Sequence, residues 1–240
     1  MPVYCITGTN RGLGLEFVRQ LAQSSDNTII AAVRSLSSDL SDLRAVVSPS
    51  THILECDTGS IPSVHTFVKA IRRALGEGAK IDYLLNNAGV NIASQQSSLN
   101  LGADELQAQM AVNVVGPAKT VELLLDAGLL SEEVRVLNMT SGLASLQLTA
   151  QGEGRKCAGY SISKAALNML TVHQAHDIRK HLSGAVVILM DPGWVKTRLG
   201  GAGAVMEPKE SIANMLKVLH GLRSEDNGSF FHHSGGKIPW

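Results

Sequence analysis

Val3-Tyr4-Cys5-Ile6-Thr7-Gly8-Thr9-Asn10-Arg11-Gly12-Leu13-Gly14 is the stretch that decides how this chain folds. Five mostly apolar, β-forming residues run straight into a glycine-rich turn, and helical periodicity begins directly behind it. The glycines there have mechanical reasons. Gly8 permits a tight turn, Gly12 lets the backbone approach an anion, and Gly14 lets the helix pack close to the strand. The first N–H groups of that helix then point at the anion. The spacing is G-x-x-x-G-x-G, not the G-x-G-x-x-G of the usual dinucleotide fingerprint. A plain strand-to-helix turn therefore stays open for this loop taken by itself.

Outward from this turn, short β-branched or apolar runs alternate with longer amphipathic ones. Strands are expected at residues 3–7, 28–33, 52–56, 81–85, 134–139 and 185–190, with a short one at 229–231. Helices are expected at 12–24, 37–47, 61–75, 104–127, 160–181 and 207–219. That alternation builds βαβ units and a parallel sheet. Near-continuous apolar strands require helices on both faces. The expected fold is α/β, a single-domain, doubly wound parallel sheet of Rossmann type spanning residues 1–240. A ligand belongs at the carboxyl ends of its strands.

Composition removes several classes of function. The 240 residues carry a formal net charge of zero, and no segment is dense in Lys or Arg, so no nucleic acid partner is expected. Aromatics make up only 4%, which leaves few platforms for stacking bases. The three cysteines, Cys5, Cys56 and Cys157, are too few and too far apart for a disulfide framework or a metal site. They fit a reducing compartment. No apolar run approaches the length of a membrane span. With the first strand starting at Val3 and no signal peptide ahead of it, a cytoplasmic location is expected.

Cofactor choice turns on the end of the second strand. NAD-selective sites place a carboxylate there for the ribose 2′-hydroxyl. Here the strand ends Ala31-Ala32-Val33-Arg34, and Arg34 offers a planar fork that matches a phosphate. Arg11 is a second cation on the same side. Two cations and no carboxylate favour the 2′-phosphate of NADP(H). Asp57, past the third strand, reads equally well as an acceptor for the adenine amino group and as a helix cap.

The chemistry is written in Tyr160-Ser161-Ile162-Ser163-Lys164. Residues four apart share one face of a helix. A free phenol titrates near 10 and is a poor acid or base at neutral pH. An ammonium about 4 Å away, at an effective dielectric near 20, is worth about 4 kcal/mol to the phenolate. Half of that brings the phenol toward a working pH. A hydroxyl is then needed to hold the substrate oxygen, and Ser141 sits at the end of the fifth strand, where the sheet opens.

These motifs in this order resemble the short-chain dehydrogenase/reductase family over essentially the whole chain. The glycine turn matches its T-G-x-x-x-G-x-G, Asn86-Asn87-Ala88-Gly89 its N-N-A-G, and Asn113 its helix asparagine. Ser141, Tyr160 and Lys164 complete its tetrad, and Pro192-Gly193 with Thr197 matches the segment after the sixth strand. The two ends of the chain are similar to the branch of C-factor and sniffer-like carbonyl reductases. The resemblance implies that Tyr160 is the acid/base, that Ser141 orients the substrate oxygen, and that Lys164 lowers the Tyr160 pKa and binds the nicotinamide ribose. Asn113 then holds a water that links Lys164 to solvent. Gly8, Asn10, Arg11, Gly12, Leu13 and Gly14, with Asn87, Ala88 and Gly89, line the cofactor. The backbone of Pro192, Gly193 and Val195 and the Thr197 hydroxyl hold the carboxamide.

The chain departs from that pattern in one place. Ser141 and Tyr160 are farther apart than is common in the family, which leaves Thr140 and Ser145 as alternatives to Ser141. The extra piece, with Gly152 and residues 153–156, reads as a polar loop over the site mouth. Residues 199–208 form a short, glycine-rich cover, which implies an open, permissive pocket. His173 with His176, Asp82 and Asp104 read as ordinary surface or terminal residues, and so does the pair His232-His233, for which substrate contact stays open. The expected function is NADPH-dependent reduction of an aldehyde or ketone. The alternatives are an NADP(H)-binding signalling module and an NAD-linked alcohol dehydrogenase. Surplus apolar faces on the two long helices imply a homodimer or homotetramer.

Overall fold

The first strand is apolar nearly throughout, so the side chains it sends alternately to its two faces fix its place in the molecule. The computed structural model, which describes residues 1–152 and 157–240, buries all five residues of Val3–Thr7 (β1). Tyr4 and Ile6 enter one apolar layer, while Val3 and Cys5 enter the other. A strand covered on both sides requires this.

Six more strands follow: Thr28–Val33 (β2), Thr51–Glu55 (β3), Ile81–Asn86 (β4), Leu130–Met139 (β5), Val186–Asp191 (β6) and Phe230–His232 (β7). They form one sheet in the order β3-β2-β1-β4-β5-β6-β7, with each neighbouring pair parallel. The sheet is doubly wound. Strand order reverses between β1 and β4, and the carboxyl ends at that point open the crevice for a ligand.

Helices Gly12–Leu21 (α1) and Pro208–His220 (α8) cover one face. Phe17, Val18 and Leu21 of α1 and Ile212, Met215 and Leu219 of α8 pack there on Ile29, Ile188 and Met190. Ser41–Arg44 (α2) adds the buried Leu43 to the same layer. On the other face, Ile61–Leu75 (α3) supplies Val64, Phe67 and Ile71, and Gly116–Asp126 (α5) supplies Val121 and Leu124. Each such side chain contributes about 1.5–3 kcal/mol by leaving water. Ala103–Met110 (α4), Leu146–Ala150 (α6) and Ala158–Asp177 (α7) complete the helices.

Four elements differ from the expectations, and two of the differences have a local reason. The helix expected at 37–47 shrinks to α2, because serines offer the backbone other partners. Ser38 Oγ donates to the Ser35 carbonyl at 2.6 Å, and Asp39 Oδ1 accepts the Ser41 N–H at 2.9 Å. The helix expected at 104–127 is interrupted by a π turn at Ala111–Val115. Pro117 has no N–H to return to the Asn113 carbonyl in an α-helical bond, so the ladder breaks there. The strand expected at 134–139 begins four residues earlier, and α6 is an added short helix. The polar loop expected over the site mouth falls mostly on residues 153–156, outside the described residues. Among the described residues no helix is long and apolar enough to cross a membrane.

Candidate active site

The glycine turn and the Asn86–Gly89 segment sit at the carboxyl ends of β1 and β4, and hydrogen bonds lace them together. Asn87 Nδ2 donates to the Thr7 carbonyl at 2.8 Å and to the Gly8 carbonyl at 3.2 Å. Thr7 Oγ1 accepts the Ala88 N–H at 3.0 Å. Gly8 has φ +72°, and a Cβ there would stand 3.0 Å from the Ala88 Cα, so both its conformation and its neighbour demand glycine. Thr9 ties the turn to β2 through the Ala32 carbonyl, with its Oγ1 at 3.1 Å and its N–H at 3.0 Å.

The amino end of α1 is left for an anion. Its N-cap, Arg11, is extended, no side chain caps its N–H groups, and its first turn holds no acid. Arg11 and Arg34 are exposed, Asn10 and Leu13 are half-buried beside them, and Arg34 extends from β2 next to the turn. Asp57 makes the local contact expected of a cap, its Oδ1 accepting the Gly59 N–H at 3.0 Å ahead of α3. That contact leaves its second carboxylate oxygen over. The donor set therefore suits a phosphorylated dinucleotide: open helix N–H groups, two exposed guanidinium groups and glycines at 8, 12 and 14.

Toward the other end of the crevice the predicted chemical residues come together. Asn113 is fully buried and reaches three ways. Its Oδ1 accepts the Val90 N–H at 2.9 Å, and its Nδ2 donates to the Val90 carbonyl at 2.9 Å and to Ser163 Oγ at 2.9 Å. Ser163 Oγ in turn donates to the Tyr160 carbonyl at 2.7 Å. Lys164 Nζ donates to the Met139 carbonyl at 2.7 Å and stands 5.6 Å from the centre of the Tyr160 ring. Gly89 opens onto both, since a Cβ there would lie 3.4 Å from Asn113 Oδ1 and from Lys164 Nζ. Asn113, Tyr160, Lys164 and Gly89 thus share one recess.

Three hydroxyls near the end of β5 could hold a substrate oxygen, and their partners separate them. Thr140 Oγ1 is buried and donates to Asn168 Oδ1 at 2.7 Å. Ser145 is buried and caps α6, its Oγ accepting the Leu148 N–H at 3.1 Å. Ser141 is half-buried, and its Oγ accepts the Leu143 N–H at 3.2 Å, a contact that leaves its own proton to be donated.

The electrostatics differ from the expectation that Lys164 draws Tyr160 down. Burial pushes Tyr160 above its ordinary value, and the charges of Asp191 and Cys157 add to the rise. Burial also brings Lys164 down to about 7. The ammonium that was to stabilise the phenolate is itself desolvated and donates to the Met139 carbonyl. The arrangement therefore holds Tyr160 as a neutral phenol, a proton donor.

The segment after β6 closes the crevice. Gly193 has φ +78°, and a Cβ on Gly12 would lie 3.6 Å from Thr197 Cγ2, so this segment reaches back to the glycine turn. Val195 is buried and bridges Met206, and the Trp194 indole N–H donates to the Gly200 carbonyl at 2.7 Å. The short cover folds on Trp194, leaving Leu199 and Val205 exposed. Sequence reasoning missed two polar groups here. Asp191 ends β6 in plain sight before Pro192-Gly193, and Asn138 braces β5 against α7. Its Nδ2 donates to Thr171 Oγ1 and Gln174 Oε1, each at 2.8 Å. The discounted histidines form no metal cluster among the described residues.

Comparison with known proteins bears on this geometry. The family model for short chain dehydrogenases matches residues 2–205. The C-signal protein of Myxococcus xanthus is 32% identical over 160 residues, 67% of this chain and 93% of that protein. A 1-hydroxy-2-glutathionyl-2-methyl-3-butene dehydrogenase of Rhodococcus sp. (strain AD45) is 29% identical over the whole of both chains. Among solved structures, the NADPH-bound carbonyl reductase from chicken fatty liver matches with a TM-score of 0.90 at 28% identity over 100% of both chains. Carbonyl reductase Sniffer of D. melanogaster matches with a TM-score of 0.88 at 26% identity, again over 100% of both.

Proposed function

The chain belongs to the short chain dehydrogenase family, and on that premise we propose that it is an NADPH-dependent reductase of aldehydes or ketones in which Tyr160 supplies the proton. The observation that carries this reading is the shared recess of Asn113, Tyr160 and Lys164, opened by Gly89 at the switch point of the sheet. The likeness to an NADPH-bound carbonyl reductase supports the cofactor and the reaction.

Gly8, Asn10, Arg11, Gly12, Leu13 and Gly14 would hold the pyrophosphate, Arg11 and Arg34 the 2′-phosphate, and Asp57 the adenine amino group. Asn87, Ala88, Gly89 and Lys164 would line the ribose, and Pro192, Gly193, Val195 and Thr197 the carboxamide. When bound, the reduced nicotinamide supplies a hydride to the carbonyl carbon. The chain's own residues manage the oxygen. Ser141 donates a hydrogen bond to it, and Tyr160 gives it a proton as negative charge develops. A buried phenol remains neutral at physiological pH and is still far more acidic than an alcohol, so the transfer runs downhill. The phenolate would regain its proton from bulk solvent, passed through Lys164 and a water held by Asn113.

The test is a panel of aldehydes, ketones and quinones with NADPH, followed at the nicotinamide absorbance. Turnover is expected with at least one, and Tyr160→Phe should abolish it while leaving NADPH binding intact. Turnover retained in the Phe variant would end this mechanism. One observation favours a second reading, an NADP(H)-binding signalling module: the likeness to the C-signal protein. NADPH binding without turnover across the panel would select it. The whole chain, 1–240, is proposed to act as one domain in the cytoplasm. Ile162, Met169 and Val172, exposed on α7, support self-association into a homodimer or homotetramer, which sedimentation at micromolar concentration would check.

A further inference from the structure

A helix packed into a fold normally buries an apolar stripe, and α4 does not. Among the described residues of α4, Gln109 alone is buried, and it is fully so. Its amide is only half used. Oε1 accepts the Ile92 N–H at 3.2 Å, which fixes the orientation of the amide, since the flipped form would set two donors against each other. Nε2 is buried and finds no hydrogen-bond partner among the described residues. It lies 2.6 Å from where a Cβ on Gly159 would stand, so a residue without a Cβ directly before Tyr160 lets this amide rest where it does. A buried donor left unpaired is a standing cost, and such groups call for a reason.

The reason lies in the segment that Gln109 holds. Residues 90–96 form a strap that leaves the recess at Gly89 and returns to it at the start of α7, where the Gln96 carbonyl accepts the Ala158 N–H at 3.3 Å. Cys157, the N-cap of α7, caps no N–H with its side chain, so the strap supplies that acceptor. Asn113 holds Val90 by both its N–H and its carbonyl and reaches on to Ser163 of α7. Gln109, about one turn earlier, holds Ile92 and meets α7 at Gly159, about one turn before Ser163. The two amides are successive rungs between the strap and the helix that carries Tyr160.

Directly after Ile92 the strap kinks. Ala93 has φ +52°, a left-handed conformation that strains a residue with a side chain, and its carbonyl accepts the Gln96 N–H at 3.0 Å. Strain of this kind persists only where the surroundings hold it, and the bond from Gln109 to Ile92 is the clamp beside it. The Ile92 side chain is 37% exposed, which leaves it available to a substrate.

We propose, resting on the reading of the chain as a carbonyl reductase, that Gln109 is a positioning residue for substrate selection: it clamps the kinked strap 90–96 against the start of α7 and so fixes one wall at the mouth of the recess. A wall held in one conformation discriminates by shape. Released, it yields to bulky ketones and loses its close fit to small ones.

The first readout needs no turnover. Hydrogen exchange of the full-length chain, followed at residues 90–96, is expected to be about tenfold faster in Gln109→Met, which keeps the length of the side chain and removes the acceptor. Gln109→Glu keeps an oxygen for the Ile92 N–H and should restore the wild-type protection. The second readout is a series of ketones graded in size, reduced with NADPH. In Gln109→Met, KM is expected to rise for the small ketones and to hold or fall for the bulky ones, so that the ratio of their kcat/KM values shifts by about tenfold while NADPH affinity holds. Gln109→Glu should keep the wild-type ranking. Should Gln109→Met not fold, Gly159→Ala reaches the same amide from the helix side, because its Cβ displaces Nε2, and carries both readouts. Wild-type protection of the strap without the Gln109 acceptor overturns the proposal, as does activity lowered by one factor for every ketone. Faster exchange of the strap in a protein that reduces no carbonyl supports the clamp and removes the reductase reading instead.

Discussion

Gly14 lies so close to Gly8 that any side chain on it would collide with the Gly8 carbonyl oxygen and come within 2.6 Å of Asn87 Nδ2. The first turn of α1 is thereby pressed against the end of β1, where its N–H groups can reach a pyrophosphate. Gly14→Ala must push backbone against backbone. A stability loss of about 1–3 kcal/mol is expected, together with at least tenfold weaker NADPH binding. Gly76→Ala is the control. Its φ of +78° makes that substitution costly by about 1–2 kcal/mol, but nothing lies within 4 Å of the added Cβ. Thermal unfolding and a fluorescence titration with NADPH should separate the two, since only Gly14→Ala loses the cofactor.

The proposed selectivity for NADPH rests on charge at the end of β2. Arg34 is exposed and emerges next to the glycine turn, and Glu55 on the neighbouring strand is occupied by the Leu36 N–H at 2.8 Å. Arg34→Asp puts a carboxylate where a ribose hydroxyl, not a phosphate, is welcome. NADPH affinity is expected to fall by about ten- to a hundredfold while NADH affinity holds or improves. Equal losses for both cofactors, measured by titration of the same preparation, would remove the specificity argument.

The positions of the strands and most helices along the chain are legible because their signals are local. Glycines, period-two runs and caps announce β1, α1 and the turn between them within a dozen residues. What escaped depends on partners far away in the chain. In the sequence Asn138 is one polar residue in an apolar strand. Its role exists only because Asn86, 52 residues earlier, donates to its Oδ1 at 2.8 Å while Thr171 and Gln174 accept from its Nδ2. The π turn at Ala111–Val115 is similar, since it presents Asn113 to Val90 and Ser163 on two other elements. The displacement of Tyr160 was misjudged for the same reason. Spacing reveals that Lys164 is one turn away, but not that both groups are buried.

Which hydroxyl serves the substrate oxygen can be decided by where each substitution is felt. Ser141→Ala removes a donor at the site mouth and only one local acceptor, so kcat/KM is expected to fall by about 10²–10³ with stability little changed. Thr140→Val leaves Asn168 Oδ1 without its buried donor and should cost about 1–3 kcal/mol of stability. Ser145→Ala removes the α6 cap and should cost about 1 kcal/mol. A Ser141→Ala variant with full turnover would pass the role to one of its neighbours.

Stability should rise with pH just above neutrality, because the folded chain holds Lys164 near 7 through burial, whereas an unfolded lysine titrates near about 10.4. Between those values the unfolded chain binds a proton that the folded chain has released. The free energy of unfolding then climbs with pH, by up to about 1.4 kcal/mol per unit from this one group. That contribution is complete above the unfolded value and is lost as pH falls through about 7. Opposing groups enter higher up. Burial raises Cys5 and brings Cys56 to about 12, while unfolded thiols ionise near about 8.5, so there the folded chain retains protons that the unfolded one gives up. His220 and His233 are lowered and act only below about 6.5, outside this window. Urea unfolding of the wild type is therefore expected to show a midpoint that increases from pH 7 to pH 8 at constant m, and Lys164→Met should flatten that increase. A wild-type midpoint that stays level or falls over this interval would mean that Lys164 remains an ammonium in the folded protein.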